Sequence, residues 1–183
     1  SYNDYQPTRA GRAISNFVND HLSNWYVRLN RKRFWGGTLT EDKLAAYQTL
    51  YTCLDTISRL MAPISPFYAD RLFLDLNSAT GCDSSESVHL SDFPKADESL
   101  IDKVLEERMQ LAQDISSMTL SLRKKENIKV RQPLQQIMVP VLSEREKENI
   151  DAVKDLIMNE VNVKGINFVD DSAGILVKKI KPD

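Results

Sequence analysis

Histidine and cysteine are scarce in this chain, with His21, His89, Cys53 and Cys82 the full set in 183 residues. A zinc site of the usual kind draws its four ligands from paired spacings, and these four residues show no such pairing, so no metal is expected. Neither histidine lies beside a nucleophile, and His21 reads as a helix surface residue. The six glycines form no phosphate-cradling loop, and His-Glu-x-x-His and Cys-x-x-Cys are absent. Acidic residues are scattered among basic neighbours, so nothing in the chain proposes an acid, base or nucleophile. Apolar runs are too short to cross a bilayer and no secretory leader opens the chain. The expectation is a reduced, cytoplasmic protein off the membrane, with Cys53 a small buried side chain and Cys82 a loop thiol. Strong charge of one sign is missing too: 24 Lys and Arg offset 26 Asp and Glu. Any site for a polyanion must therefore be local.

What is present is helical periodicity. Apolar residues Ile14, Phe17, Val18, Leu22, Trp25, Tyr26 and Leu29 recur at three- and four-residue steps, predicting one helix from Thr8 to Trp35 that Gly36 and Gly37 end. Thr40 is the expected N-cap of a second helix, with Glu41 and Asp42 in its first turn, running to about Pro63. After Pro66 a third helix spans Phe67 to Leu76. Residues 77–97 are rich in Ser, Asp and Gly and read as a surface connection with a short extended patch at Val88 to Leu90. The longest stripe follows: Ile101, Val104, Leu105, Arg108, Leu111, Ala112, Ile115, Met118, Thr119 and Leu122. Amphipathic helices joined by short turns imply a mainly α fold, an antiparallel helical bundle over residues 1–126.

After Lys125 the period changes. Ile137 to Leu142 reads as a strand, Ser143 with Glu146 as a capping box for a helix to about Met158, and Val161–Val163, Asn167–Val169 and Ile175–Ile180 as strands. Residues 127–183 thus form a small α+β subdomain. Both ends of the chain look like cuts in a longer polypeptide, the C-terminal one through this subdomain.

The densest unusual segment is SNWYVRLNRKRFW, Ser23 to Trp35, where Arg28, Arg31, Lys32 and Arg33 occur with no acid among them. On an α-helix Asn24, Arg28 and Arg31 share one side, a polar edge opposite part of the apolar stripe. Unpaired cations so close together repel one another unless a polyanion neutralises them, and guanidinium groups both bond phosphate and stack on bases. Trp35 closes the helix end beside them, whereas Trp25 and Tyr26 fall on the core stripe. Arg123, Lys124, Lys125, Lys129 and Arg131 form a second basic stretch with Glu126 as its internal counter-charge. Cations there also suit a helix C-terminus, so phosphate contact and dipole complementation both account for them.

SNWYVRLNRKRFW, LMAPISPFYADRLFLDL (Leu60 to Leu76), SVHLSDFP (Ser87 to Pro94), IKVRQPL (Ile128 to Leu134) and NEVNVKGINF (Asn159 to Phe168) occur in this order and resemble the isoleucyl-tRNA synthetases. The Ala-Pro-x-x-Pro-Phe element at Ala62 to Phe67 is shared with related class I synthetases, and Asn-Trp-Tyr-x-Arg is the discriminating run. The resemblance implies a helical-bundle domain that follows a catalytic core and docks on the anticodon stem and loop of isoleucine tRNA. The two ATP-handling signatures of that family, its editing domain and its zinc-binding tail are not in these residues, so ATP and magnesium would serve the intact enzyme and this fragment would hold no cofactor. The expected tRNA contacts are Asn24, Arg28, Arg31, Lys32, Arg33, Trp35, Arg123, Lys124, Lys125, Lys129 and Arg131. The expected partners are tRNA and the catalytic core of the same polypeptide, in a monomer. The competing expectation is a structural bundle whose basic face docks on its own catalytic core without touching RNA.

Overall fold

The computed structural model describes residues 6–169. The chain divides into two compact units, Ser1–Asp97 and Glu98–Asp183. Among the described residues the structure is mostly helical with one two-stranded sheet.

In the first unit, helix α1 (Pro7–Asn16) starts on a proline, whose fixed φ suits the first helical turn and whose missing N–H is not needed there. The chain then runs without a break into wide π-type turns from Phe17 to Val27, which bury Leu22 and Trp25. A turn at Asn30 separates these from the short helix α2 (Arg31–Trp35). The single helix expected from Thr8 to Trp35 is therefore three pieces. Apolar spacing reports which residues face inward but not whether the backbone bonds i→i+4 or i→i+5, so the periodicity was silent on the wider turns. At the break, Asn30 Nδ2 donates to the Tyr26 carbonyl at 2.8 Å alongside the Asn30 amide, which reaches the same oxygen at 3.0 Å.

Helix α3 (Glu41–Met61) begins as expected, with Thr40 Oγ1 accepting the Lys43 amide at 3.2 Å and Glu41 and Asp42 in the first turn. Helix α4 (Pro66–Thr80) opens on Pro66 and ends at Gly81, whose φ of 62° is the left-handed cap that glycine adopts without a Cβ penalty. Helices α3 and α4 pack together over a core of Ala62, Ala69, Phe73 and Val88, with Met61 against it. The 77–97 connection is pinned to that core. Arg59 lies over the Phe73 ring at 5.1 Å, bonds Asp55 and reaches Asp83 at 2.8 Å. Asp70 accepts from the Ser87 hydroxyl at 2.7 Å and the Val88 amide at 2.9 Å. Held this way, Val88–Leu90 forms a 3-10 turn with Val88 buried, not the extended patch the sequence suggested.

In the second unit, Asp102 caps helix α5 (Lys103–Lys125) by accepting the Val104 and Leu105 amides. Strand β1 (Ile137–Pro140) leads through helices α6 (Glu144–Ala152) and α7 (Lys154–Val161) to strand β2 (Ile166–Val169). The strands pair in parallel from Ile137↔Ile166 to Pro140↔Val169, a pairing that needs a crossover of this kind. Ser143 caps α6 by accepting the Glu146 amide, while the Glu146 carboxylate takes the Leu142 amide at 2.8 Å. The helix expected to Met158 bends at Val153, and Ile150, Ile157 and Val161 are sealed in the interior. Val161 ends α7 rather than opening a strand, and Val163 makes an isolated bridge to Leu134. The strand expected at 175–180 lies outside the described residues.

The principal partners of α5 within this unit are α6 and α7, and the helix buries Ala112 and Ile115. An amphipathic helix records that it has a partner and not which one. The boundary expected at 126/127 falls inside the second compact unit.

Candidate nucleic-acid interface

The end of the opening helical run is anchored to the start of α3. Phe34 is buried, its ring 6.3 Å from Tyr26 and 5.3 Å from Tyr47. The Tyr47 hydroxyl donates to the Phe34 carbonyl at 3.0 Å, the Tyr26 hydroxyl to the Ala46 carbonyl at 3.1 Å, and Lys43 Nζ to the Gly36 carbonyl. Backbone carbonyls on both sides of Trp35 are thus tied to α3, while Trp35 itself is 81% exposed. The guanidinium of Arg31, one turn earlier, lies 5.8 Å from the Trp35 ring centroid, within cation–π range. Asn24, Arg28, Arg31 and Lys32 are all exposed. The common face expected for Asn24, Arg28 and Arg31 rests on α-helical spacing, and the wide turns through Val27 with the break at Asn30 remove that basis.

Arg33 departs from expectation. Its Nε and Nη2 form a bidentate pair with Asp42 at 2.7 and 2.6 Å, Nη2 also donates to the Asp42 carbonyl at 2.8 Å, and Nη1 donates to Asn30 Oδ1 at 2.8 Å. Its hydrogen bonds to the Asp42 carboxylate raise the Arg33 pKa above its ordinary value. This cation is neutralised by the protein. The run Ser23 to Trp35 holds no acid, but the chain turns back after Gly37 and supplies one from the first turn of α3.

In the second basic stretch, Lys124, Lys125, Lys129 and Arg131 are exposed. Arg123 is not: it is only 3% exposed, with Nη1 donating to the carbonyls of Lys129 and Gln132 at 3.2 and 3.0 Å and Nη2 to that of Asn162 at 2.9 Å. In the structure Arg123 has an internal role. The guanidinium gathers carbonyls from the turn after α5 and from the end of α7, and it holds the loop that carries Lys129 and Arg131. Sequence reading missed this clamp, and it missed Asp42, Lys43 and Tyr47 as the fixtures of α2. The capping signal around Thr40 was legible, but nothing local linked it to Arg33.

Trp25 is 8% exposed, as its place on the apolar stripe predicted, and its indole N–H has no partner among the described residues. Cys53 is half-buried and burial pushes its thiol pKa up, whereas Cys82 is exposed in the connection after α4. Among the described residues no three His, Cys, Asp or Glu side chains gather as a metal site, and no helix is long and apolar enough to cross a membrane.

Comparison with known proteins supplies the family. Residues 1–139 match the family model described as the anticodon-binding domain of tRNA ligase. An isoleucine-tRNA ligase of Bacteroides thetaiotaomicron is 70% identical over 182 residues, 100% of this chain and 16% of that protein. One from Porphyromonas gingivalis is 63% identical over 98% of this chain and 15% of its own length, and one from Clostridium novyi is 41% identical over 98% and 17%. The chain thus spans about a sixth of the length of these relatives. With its family match covering most of the sequence, this chain belongs to the anticodon-binding domains of tRNA ligases.

Proposed function

We propose that the chain is the tRNA-binding module of an isoleucyl-tRNA synthetase, gripping the anticodon stem and loop of isoleucine tRNA. The observation that carries this reading is the exposed Arg31–Trp35 pair beside Arg28 and Lys32, at a helix end braced by α3. Asn24, Arg28, Arg31, Lys32 and Trp35 contact the loop, and Lys124, Lys125, Lys129 and Arg131 run along phosphates. Support comes from the identity of up to 70% with isoleucine-tRNA ligases across the whole chain. The helices belong to the antiparallel bundle type of class I synthetases.

Ligation of isoleucine to its tRNA, with ATP and magnesium, belongs to the intact cytoplasmic enzyme, a monomer, while these residues hold no cofactor and perform no chemistry. The catalytic core of the same polypeptide is the second partner. Phe67, 90% exposed at the start of α4 beside exposed Tyr68 and Ile64, supports that docking, because so large an apolar surface left in water is usually covered.

The test is a titration of isoleucine tRNA and an anticodon-swapped version at several salt concentrations. Affinity should fall with salt with a slope of roughly 0.7 per phosphate neutralised on single-stranded RNA. Arg31→Ala should weaken the cognate tRNA more than the swapped one. Salt-independent binding, or equal affinity for both RNAs, would overturn the proposal.

A further inference from the structure

An aromatic side chain that is both rigidly mounted and left in water has a physical reason to be sought. Trp35 carries an indole, the largest apolar plane a side chain offers, and burying it would be favourable, yet it stands 81% exposed. Flexibility does not explain this, because the turn is braced on both sides. The carbonyl of Phe34 takes the Tyr47 hydroxyl, the carbonyl of Gly36 takes the Lys43 ammonium, and the Phe34 ring is buried between Tyr26 and Tyr47. Arg33 adds its grip on Asp42 and Asn30. All of this ordering is present before any ligand arrives.

The chemistry around the ring narrows the occupant. Between residues 31 and 43 lie Arg31, Lys32, Arg33 and Lys43 against Glu41 and Asp42, and Asp42 is already matched by Arg33. The surroundings are positive. A protein partner chosen for an exposed indole would be apolar, and one chosen for the cations would be acidic. An unpaired nucleobase meets both demands at once, offering a flat face to the indole and a phosphate on either side to the cations. A duplex offers phosphates with no free face. Arg31, 5.8 Å from the ring, is placed to close over the far edge of a stacked base or to bond its phosphate.

We propose that Trp35, with Arg31, is a preformed stacking platform for one unpaired base, and that it makes this surface selective for single-stranded loops over duplex RNA. This rests on the tRNA-binding reading above and adds the residue through which an open loop is told from a stem.

The two tryptophans make the test direct, because Trp25 is 8% exposed and Trp35 is the accessible one. The 183-residue chain is titrated with three RNAs of matched length: an anticodon stem-loop, the same stem-loop with abasic loop positions, and a full duplex. Emission and acrylamide accessibility are followed. The stem-loop is expected to quench the emission and shield the accessible tryptophan, and the other two to do neither. Trp35→Ala should raise Kd for the stem-loop about 10-fold and leave duplex affinity unchanged, and Trp35→Phe should recover most of the loss. Being exposed, Trp35 can be replaced without opening the core, and circular dichroism checks the fold.

If the stem-loop binds with salt-dependent affinity while Trp35 stays accessible, or Trp35→Ala leaves Kd unchanged, the platform is refuted and RNA binding stands. If none of the three RNAs binds, both ideas fall. Hydroxyl-radical labelling that finds Trp35 protected in the intact synthetase before RNA is added would assign it to a protein contact and also overturn the platform.

Discussion

Arg123 donates from Nη2 to the carbonyl of Asn162 at 2.9 Å, so the last turn of α5 ends on the left-handed residue that caps α7. Asn162 returns the favour across the same junction, its side chain donating to the Val130 carbonyl at 2.8 Å. Two segments far apart in the chain are joined by side chains that look, in sequence, like surface polar residues.

Removing that guanidinium takes a donor from three carbonyls at once. Arg123→Ala should destabilise the protein by on the order of 3 kcal/mol, since it removes three hydrogen bonds made by a charged, buried donor and the packing of its stem. Arg123→Lys should recover little, because an ammonium does not reproduce the planar fork. Urea unfolding followed by circular dichroism reads both, and an unchanged midpoint for the alanine variant would dismiss the clamp.

Phe73 is sealed beneath Arg59 in the core of the first unit. Phe73→Ala should cost about 3–5 kcal/mol through the lost burial and the cavity left behind. Differential scanning calorimetry checks it, and a shift in Tm no larger than that of an exposed-site control would contradict the assignment of the core.

Acid should release the 81–93 connection at a definable pH. The bond from Arg59, with further help from Ser85, lowers the Asp83 pKa from 3.8 to about 2. A depressed folded-state pKa means the stabilisation is full above the unfolded value near 3.8 and is lost as pH falls through about 2, because the unfolded chain takes up the proton first. Asp83→Asn should flatten stability over that window and leave its shape near neutrality unchanged. An acid titration with the same slope in both proteins would count against the pair.

Pairing with Asp42 should make Arg33 a poor RNA contact. Arg33→Ala is expected to change tRNA affinity less than Arg31→Ala does, whereas Asp42→Ala, by freeing the guanidinium, should steepen the salt dependence of binding. Filter binding at a series of salt concentrations distinguishes the three variants. Equal losses for Arg31→Ala and Arg33→Ala would show that the ion pair opens when RNA binds.

Much of the local architecture was readable residue by residue. Thr40 before Glu41 and Asp42, and Ser143 ahead of Glu146, mark helix starts because each acts on backbone groups within a few residues. Trp25 and Leu22 fell on the core side because amphipathic spacing reports burial directly. The π-type turns and the breaks at Asn30 and Val153 were hidden, since apolar spacing does not encode hydrogen-bond register. The site was legible as a cluster and not as a sorting: the basic-aromatic run pointed to RNA, but which of its cations the protein neutralises could not be read from the run.

By itself the amino-acid order determined helix content, the placing of caps, the membership of the family and the presence of a positive, aromatic segment. Each of these depends on neighbours within a turn or two, or on the run of residues itself. Only the tertiary structure decided that Arg33 faces Asp42, that Arg123 turns inward to the Asn162 carbonyl, that α5 packs on α6 and α7, and that Trp35 is braced yet uncovered. Those outcomes depend on where the chain returns in space, and a charge in a sequence carries no record of the partner that folding brings to it.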